Sequence, residues 1–135
     1  LVQKDILTII DFSLSSNVKR LWVIDLSTNT ILTNSLVAHG RNTGEEFANS
    51  FSNQDSSNKS SLGIYATAEV YNGKHGKSLK LDGLNKNKRL GRSQGCPALP
   101  ENLSNEIIQL IKDKSCLFIY HPSRTILSSA ESFSA

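Results

Sequence analysis

Cys96 lies in Gly91-Arg92-Ser93-Gln94-Gly95-Cys96-Pro97, a polar, turn-forming stretch in which a thiol is open to solvent and to a substrate. Nucleophilic catalysis by cysteine needs a thiolate, a base that makes it, and donors aimed at the oxygen that turns negative in the tetrahedral intermediate. Gly95 lets the backbone turn tightly and approach a substrate, so amides around Cys96 can face an oxyanion, and Arg92 favours a negative sulfur. Glycine-cysteine pairs are common, so these residues alone leave Cys96 open between a nucleophile and a loop thiol. The other cysteine, Cys116, stands in Cys116-Leu117-Phe118-Ile119-Tyr120, an apolar strand-like run where a small buried thiol is the expected role.

The candidate bases are His39, His75 and His121. His39 ends a strand-like run before Gly40 and His121 lies between Tyr120 and Pro122, so each reads first as a structural or surface imidazole. His75 belongs to the basic turn Gly73-Lys74-His75-Gly76. There is no His-x-x-x-His, no Cys-x-x-Cys and no cluster of carboxylates, so neither a metal site nor a metal cofactor is expected. Two cysteines are too few for a disulfide framework. Ser13, Ser52 and Ser93 lack the strand-turn-helix glycine context that marks a nucleophilic serine, and no glycine loop of the phosphate-binding kind occurs.

Seven basic residues, Lys74, Lys77, Lys80, Lys86, Lys88, Arg89 and Arg92, cluster ahead of Cys96 with Asp82 the one acidic residue among them. The cluster is either a solvated strand edge or a patch for a partner bearing carboxylates or phosphates. Aromatic residues on which bases would stack are missing from it, and a net charge of +3 is modest, so nucleic acid is not an expected partner.

The elements that must hold these groups read as mostly β. Residues 6–10, in a run ending at Asp11-Phe12-Ser13, read as a strand with both faces partly buried, with a helical turn as the alternative. Residues 21–26 and 31–38 are β-branched and aliphatic, and Ser27-Thr28-Asn29-Thr30 turns between them into a hairpin. Residues 40–61 are rich in Ser, Asn and Gly and read as a long surface loop anchored by Phe47 and Phe51. Ile64, Ala66, Ala68 and Val70 define the buried face of a strand whose other face carries Tyr65, Thr67 and Glu69, and residues 78–84 repeat the pattern. After Pro100, Leu103, Ile107, Leu110 and Ile111 recur at helical spacing, and the Cys116 strand follows until Pro122. At 135 residues, 38% of them hydrophobic, the chain has material for one core, and residues 1–135 are expected to form a single domain. No apolar run reaches the ~18 residues of a membrane span, and the first residues do not resemble a signal peptide, as would also hold for a chain cut after one.

Ser93-Gln94-Gly95-Cys96 resembles the Ser-x-Gly-Cys signature of the L,D-transpeptidases, the YkuD-type cysteine enzymes of bacterial cell-wall assembly. Leu21-Trp22-Val23-Ile24-Asp25-Leu26, Val37-Ala38-His39-Gly40, Phe51-Ser52-Asn53, Ser60-Ser61-Leu62-Gly63, Gly73-Lys74-His75-Gly76-Lys77-Ser78-Leu79 and Gly91-Arg92-Ser93-Gln94-Gly95-Cys96-Pro97-Ala98-Leu99 are similar, in that order, to the second, divergent branch of the family. The resemblance implies a mainly β fold with one or two helices, a curved sandwich or barrel-like catalytic domain. It implies that Cys96 attacks the carbonyl of the third residue of a peptidoglycan stem tetrapeptide and expels D-alanine. A neighbouring stem's amine then resolves the thioester into a cross-link, or water resolves it as an L,D-carboxypeptidase would. It further implies that Gly95 and the Cys96 amide shape the oxyanion site, that Arg92 and Ser93 position substrate or base, that no cofactor takes part, that carbapenem-type β-lactams acylate Cys96, and that the protein works in the periplasm or elsewhere outside the cytoplasm.

Two positions differ from the pattern. Ala98 stands where the common signature has Arg or Asn, which the divergent branch tolerates. The branch also carries a second His-Gly segment, with the catalytic histidine, between a motif like Asp82-Gly83-Leu84 and the Gly-Arg-Ser run, and here only Asn85-Lys86-Asn87-Lys88-Arg89-Leu90 intervenes. Three accounts stand: a segment omitted between Leu84 and Gly91, a true deletion that would leave a catalytically inactive peptidoglycan-binding domain, or substitution by His75. Seventeen residues separate His75 from Ser93, a spacing found in the wider family, although the context of His75 matches an upstream position of the closer branch.

Overall fold

A computed structural model describes residues 2–40, 44–49, 62–73, 76–83 and 97–122 of the protein. Six strands and one helix follow in the order β1 (Ile6–Asp11), β2 (Leu21–Asp25), β3 (Thr30–Ser35), β4 (Gly63–Gly73), β5 (Gly76–Gly83), α1 (Glu101–Ile111) and β6 (Cys116–Tyr120). The strands form one mixed sheet in the order β3-β2-β1-β6-β4-β5. Only the β1–β6 pair is parallel, with Leu7 opposite Cys116 and Asp11 opposite Tyr120. Among the described residues the fold is mainly β with a single helix, as the sequence predicts.

β1 is an inner strand with β2 on one edge and β6 on the other, and Thr8 and Ile10 are its buried residues. The β2–β3 hairpin closes as expected, because the Asp25 carboxylate accepts bonds from the Ser27 amide and hydroxyl at 3.0 and 2.6 Å, and Asn29 takes the left-handed conformation. Those bonds, the hydroxyl's first, lower the Asp25 pKa.

The second strand of the hairpin, predicted to reach Ala38, ends at Ser35. Ser35 pairs with Leu21, the first residue of β2, and the next residue on that side, Arg20, gives its carbonyl to the Asp11 amide and its side chain to the Val37 carbonyl. The chain therefore leaves the sheet edge, and Ala38 pairs instead with Ala98.

The buried face of β4 also differs from the alternation predicted. Tyr65 and Thr67 are buried together with Ala66, whereas Ile64 and Ala68 are half-buried. In its first half both edges of β4 are paired, with β6 and β5, while Tyr65 packs into the core and Thr67 bonds the end of α1. Its second half extends past the end of β6, and Glu69 and Tyr71 reach solvent.

Helix α1 begins directly after Pro100, whose carbonyl accepts from the amides of Leu103 and Ser104 at 3.0 and 2.9 Å. It buries Ile107, Ile108 and Ile111, about 1.5–3 kcal/mol each by apolar area. Ile107 and Ile111 join Ile10, Leu21, Val23, Tyr65, Leu117 and Ile119 in the core. In the loop that follows β3, Phe47 is 52% exposed and Ala48 is the residue buried, so Phe47 does not anchor the loop; Phe51 lies outside the described residues. Among the described residues no helix is long and apolar enough to cross a membrane.

Candidate functional site

The predicted site residues His75, Arg92, Ser93, Gly95 and Cys96 lie outside the described residues, as does the interval between Leu84 and Gly91. Their flanks are described. Gly73 pairs with Gly76 at the ends of β4 and β5, on either side of Lys74 and His75. Gly76 has φ +105°, a conformation that favours glycine, and a Cβ on Gly73 would stand 2.7 Å from the Ser78 hydroxyl, which would have to move. Lys77, two residues past His75, donates to the Asn105 side chain of α1 at 3.3 Å.

On the other flank the chain leaves Cys96 through Pro97 and docks at Ala98. The Ala38 amide donates to the Ala98 carbonyl at 2.8 Å, and the Ala98 amide donates back to the Ala38 carbonyl at 3.1 Å. Two residues later Pro100 starts α1. The segment that follows Cys96 is thus tied to the chain after β3 on one side and runs into the helix on the other.

Ala38 is itself exposed, but its neighbours Val37 and His39 are held by a buried arginine. Arg20, with 0% exposure, places Nε and Nη2 on the Val37 carbonyl at 3.0 and 2.8 Å and Nη1 on the Leu14 carbonyl at 3.0 Å. Nη2 also lies 2.8 Å from His39 Nδ1. A guanidinium only donates, so Nδ1 accepts and the ring proton is on Nε2, which donates to the Gly44 carbonyl at 2.9 Å. Phe12 meets the His39 ring edge-on, and the Arg20 guanidinium lies 4.7 Å from the Phe12 ring centre. His39 is therefore a structural imidazole, as its sequence context predicts, with both nitrogens engaged.

Sequence reasoning does not find Arg20. A basic residue opening an apolar strand ordinarily reads as solvated, and only the geometry reveals that this one is enclosed.

Cys116 is a free, half-buried thiol in the sheet, opposite Leu7 and Ala66. Burial raises its pKa, which makes it a poor nucleophile. Among the described residues no three His, Cys, Asp or Glu side chains are placed to hold a metal ion.

A mixed six-stranded sheet backed by one helix, with a cysteine segment joining β5 to α1 in sequence, defines a mainly β domain. The family model of the L,D-transpeptidase catalytic domain, of the second YkuD type, matches residues 1–88 and 84–120, and the chain belongs to that family. The two matched stretches meet at residues 84–88, where the sequence lacks the second His-Gly segment. No curated protein and no solved structure matches the chain. The family acts on cell-wall peptidoglycan, which lies outside the cytoplasmic membrane.

Proposed function

We propose that residues 1–135 form one L,D-transpeptidase domain whose nucleophile is Cys96, acting in the periplasm or an equivalent envelope compartment on stem tetrapeptides. The observation that carries this reading is the division between the two thiols. Cys116 is built into the sheet with a raised pKa, which leaves Cys96, in Ser93-Gln94-Gly95-Cys96, as the thiol suited to attack. The Cys96 thiolate adds to the carbonyl carbon of the third stem residue, and the amides of Gly95 and Cys96 receive the oxyanion. The tetrahedral intermediate collapses to a thioester as the D-alanine nitrogen takes a proton and leaves. The amine of a neighbouring stem then attacks the thioester, gives up a proton, and restores the thiol as a new peptide bond forms. Water in place of the amine gives L,D-carboxypeptidase activity.

Arg92 and Ser93 position the donor or the base in this reading. His75 is the candidate base in the present sequence, and the Lys77–Asn105 bond links β5, which begins at the next residue, to the helix that the Cys96 segment enters. A second reading, a peptidoglycan-binding domain without catalysis, is favoured by the interval 85–90, which is too short for the second His-Gly segment.

Intact-mass spectrometry with a carbapenem and with a stem tetrapeptide, on the parent and on Cys96→Ala, separates the readings. An adduct on the parent that maps to Cys96 and disappears in Cys96→Ala supports the enzyme. Binding of muropeptide with no covalent species overturns it in favour of the binding domain. An active parent in which His75→Ala retains full activity rejects His75 as the base.

A further inference from the structure

We infer that Arg20 and His39 are positioning residues for the Cys96 segment, acting on it through the Ala38–Ala98 pair. The proposal rests on the reading of Cys96 as nucleophile only in its activity arm. The chain of contacts is short. One guanidinium grips the carbonyl of Val37 twice and the imidazole of His39 once, and so fixes the residues on both sides of Ala38. Ala38 in turn exchanges both of its backbone bonds with Ala98, two residues beyond Cys96.

The cluster holds more of the surroundings than that one pair. Arg20 Nη1 binds Leu14, and His39 Nε2 binds Gly44 in the loop after β3. In the same region the Glu46 carboxylate accepts from the Ser15 hydroxyl at 2.6 Å, and the Glu46 carbonyl accepts from the Ser16 amide at 2.9 Å. Three pieces of irregular backbone, around residues 14–16, 37–39 and 44–46, are thereby locked to one another, and Ala98 is docked on the middle one.

Enclosing a guanidinium costs several kcal/mol of hydration, and a hairpin end can be closed by apolar side chains without that cost. What a fork of directed donors gives instead is a fixed arrangement of carbonyls. That matters for a nucleophile, because a displacement of about 1 Å in an attacking group lowers rate by about 10²-fold.

The variants are His39→Ala, His39→Gln, Arg20→Lys and Ala98→Pro, with Ser115→Ala as a destabilised control at the opposite end of the helix. Glutamine can present an acceptor to Arg20 and a donor to Gly44, and proline at 98 removes the amide that bonds Ala38 while also restricting the backbone at 97 and 98. The readouts on each folded protein are the rate of Cys96 alkylation by iodoacetamide across pH, the rate of Cys96 acylation by a carbapenem and, in every variant but Ala98→Pro, amide hydrogen exchange at Ala98. Expected for His39→Ala and Arg20→Lys are faster exchange at Ala98 and acylation slowed by about 10²-fold, with His39→Gln close to the parent. Ala98→Pro reproduces the slow acylation, and Ser115→Ala lowers the melting temperature while leaving both Ala98 exchange and the Cys96 rates unchanged.

Unchanged Ala98 protection in folded His39→Ala overturns the inference whatever the activity does. If Arg20→Lys does not fold, the His39 pair and Ala98→Pro decide it. A parent that no carbapenem acylates sinks the enzyme reading, while exchange and alkylation still decide whether the cluster positions the segment.

Discussion

Cys116 pairs across the sheet with Leu7 on one side and Ala66 on the other, and its half-buried thiol has little water to stabilise a negative charge. Neutral alkylating reagents near pH 8 should therefore modify it about tenfold more slowly than a free cysteine, in contrast to an activated Cys96, and peptide mapping after timed quenching reads both sites. Folding linkage has a definite sign. The folded state keeps the Cys116 proton at pH values where the unfolded chain has lost it, so this contribution to stability is complete below the free-thiol pKa and disappears as pH rises through the higher folded value. Cys116→Ala should remove that part of the alkaline loss, and urea midpoints measured on both sides of the free-thiol pKa would show it; an identical alkaline decline in the variant contradicts the assignment. At this scale the two thiols were distinguishable in the sequence, because one sits among strand formers and the other among turn formers. Arg20 was not, because its burial depends on Val37, His39 and Phe12 coming together from separate stretches of chain.

The end of α1 is held by side chains from β4, from the turn after the helix and from the segment ahead of β1. The Thr67 hydroxyl of β4 donates to the Ile111 carbonyl at 2.6 Å and accepts from the Ser115 amide at 2.9 Å, and the Ser115 hydroxyl also donates to Ile111. Lys4 places its ammonium on the carbonyls of Leu110 and Lys112 at 3.2 and 2.8 Å, a cation at the negative end of the helix. Thr67→Val keeps the shape but leaves a buried amide and carbonyl without that partner, so it should cost about 1–3 kcal/mol. Lys4→Ala acts at a part-solvated site and should cost about 0.3–1 kcal/mol. Urea unfolding with an unchanged m-value measures both, and a Thr67→Val midpoint equal to the parent's rejects the buried role. Helix α1 was legible from its 3.6-residue spacing because one face meets the core along its whole length. The buried face of β4 was not, since it is set by Tyr65 meeting the core and Thr67 meeting the end of α1, which no local pattern records.

The whole sheet depends on its last described strand. β6 lies between β1 and β4, so it joins the β3-β2-β1 half to the β4-β5 half, and its parallel partner β1 comes from the opposite end of the described chain. The long separation explains why the pairing was invisible in the sequence: strand content follows from composition, but which strand lies beside which follows from closure of the whole core. It also predicts all-or-none behaviour. A chain ending at residue 115 would split the sheet, leave the bonding edges of β1 and β4 open, and remove Leu117 and Ile119 from the core. Each of those two side chains represents about 1.5–3 kcal/mol by apolar burial, against a total stability of about 5–15 kcal/mol for a typical domain. The truncated chain should show no cooperative urea transition and poor amide dispersion by NMR, and a peptide spanning residues 115–122 added in trans should restore dispersion in proportion to its occupancy. A truncated chain that unfolds cooperatively near the parent's midpoint would mean that the two half-sheets are stable without the strand that joins them.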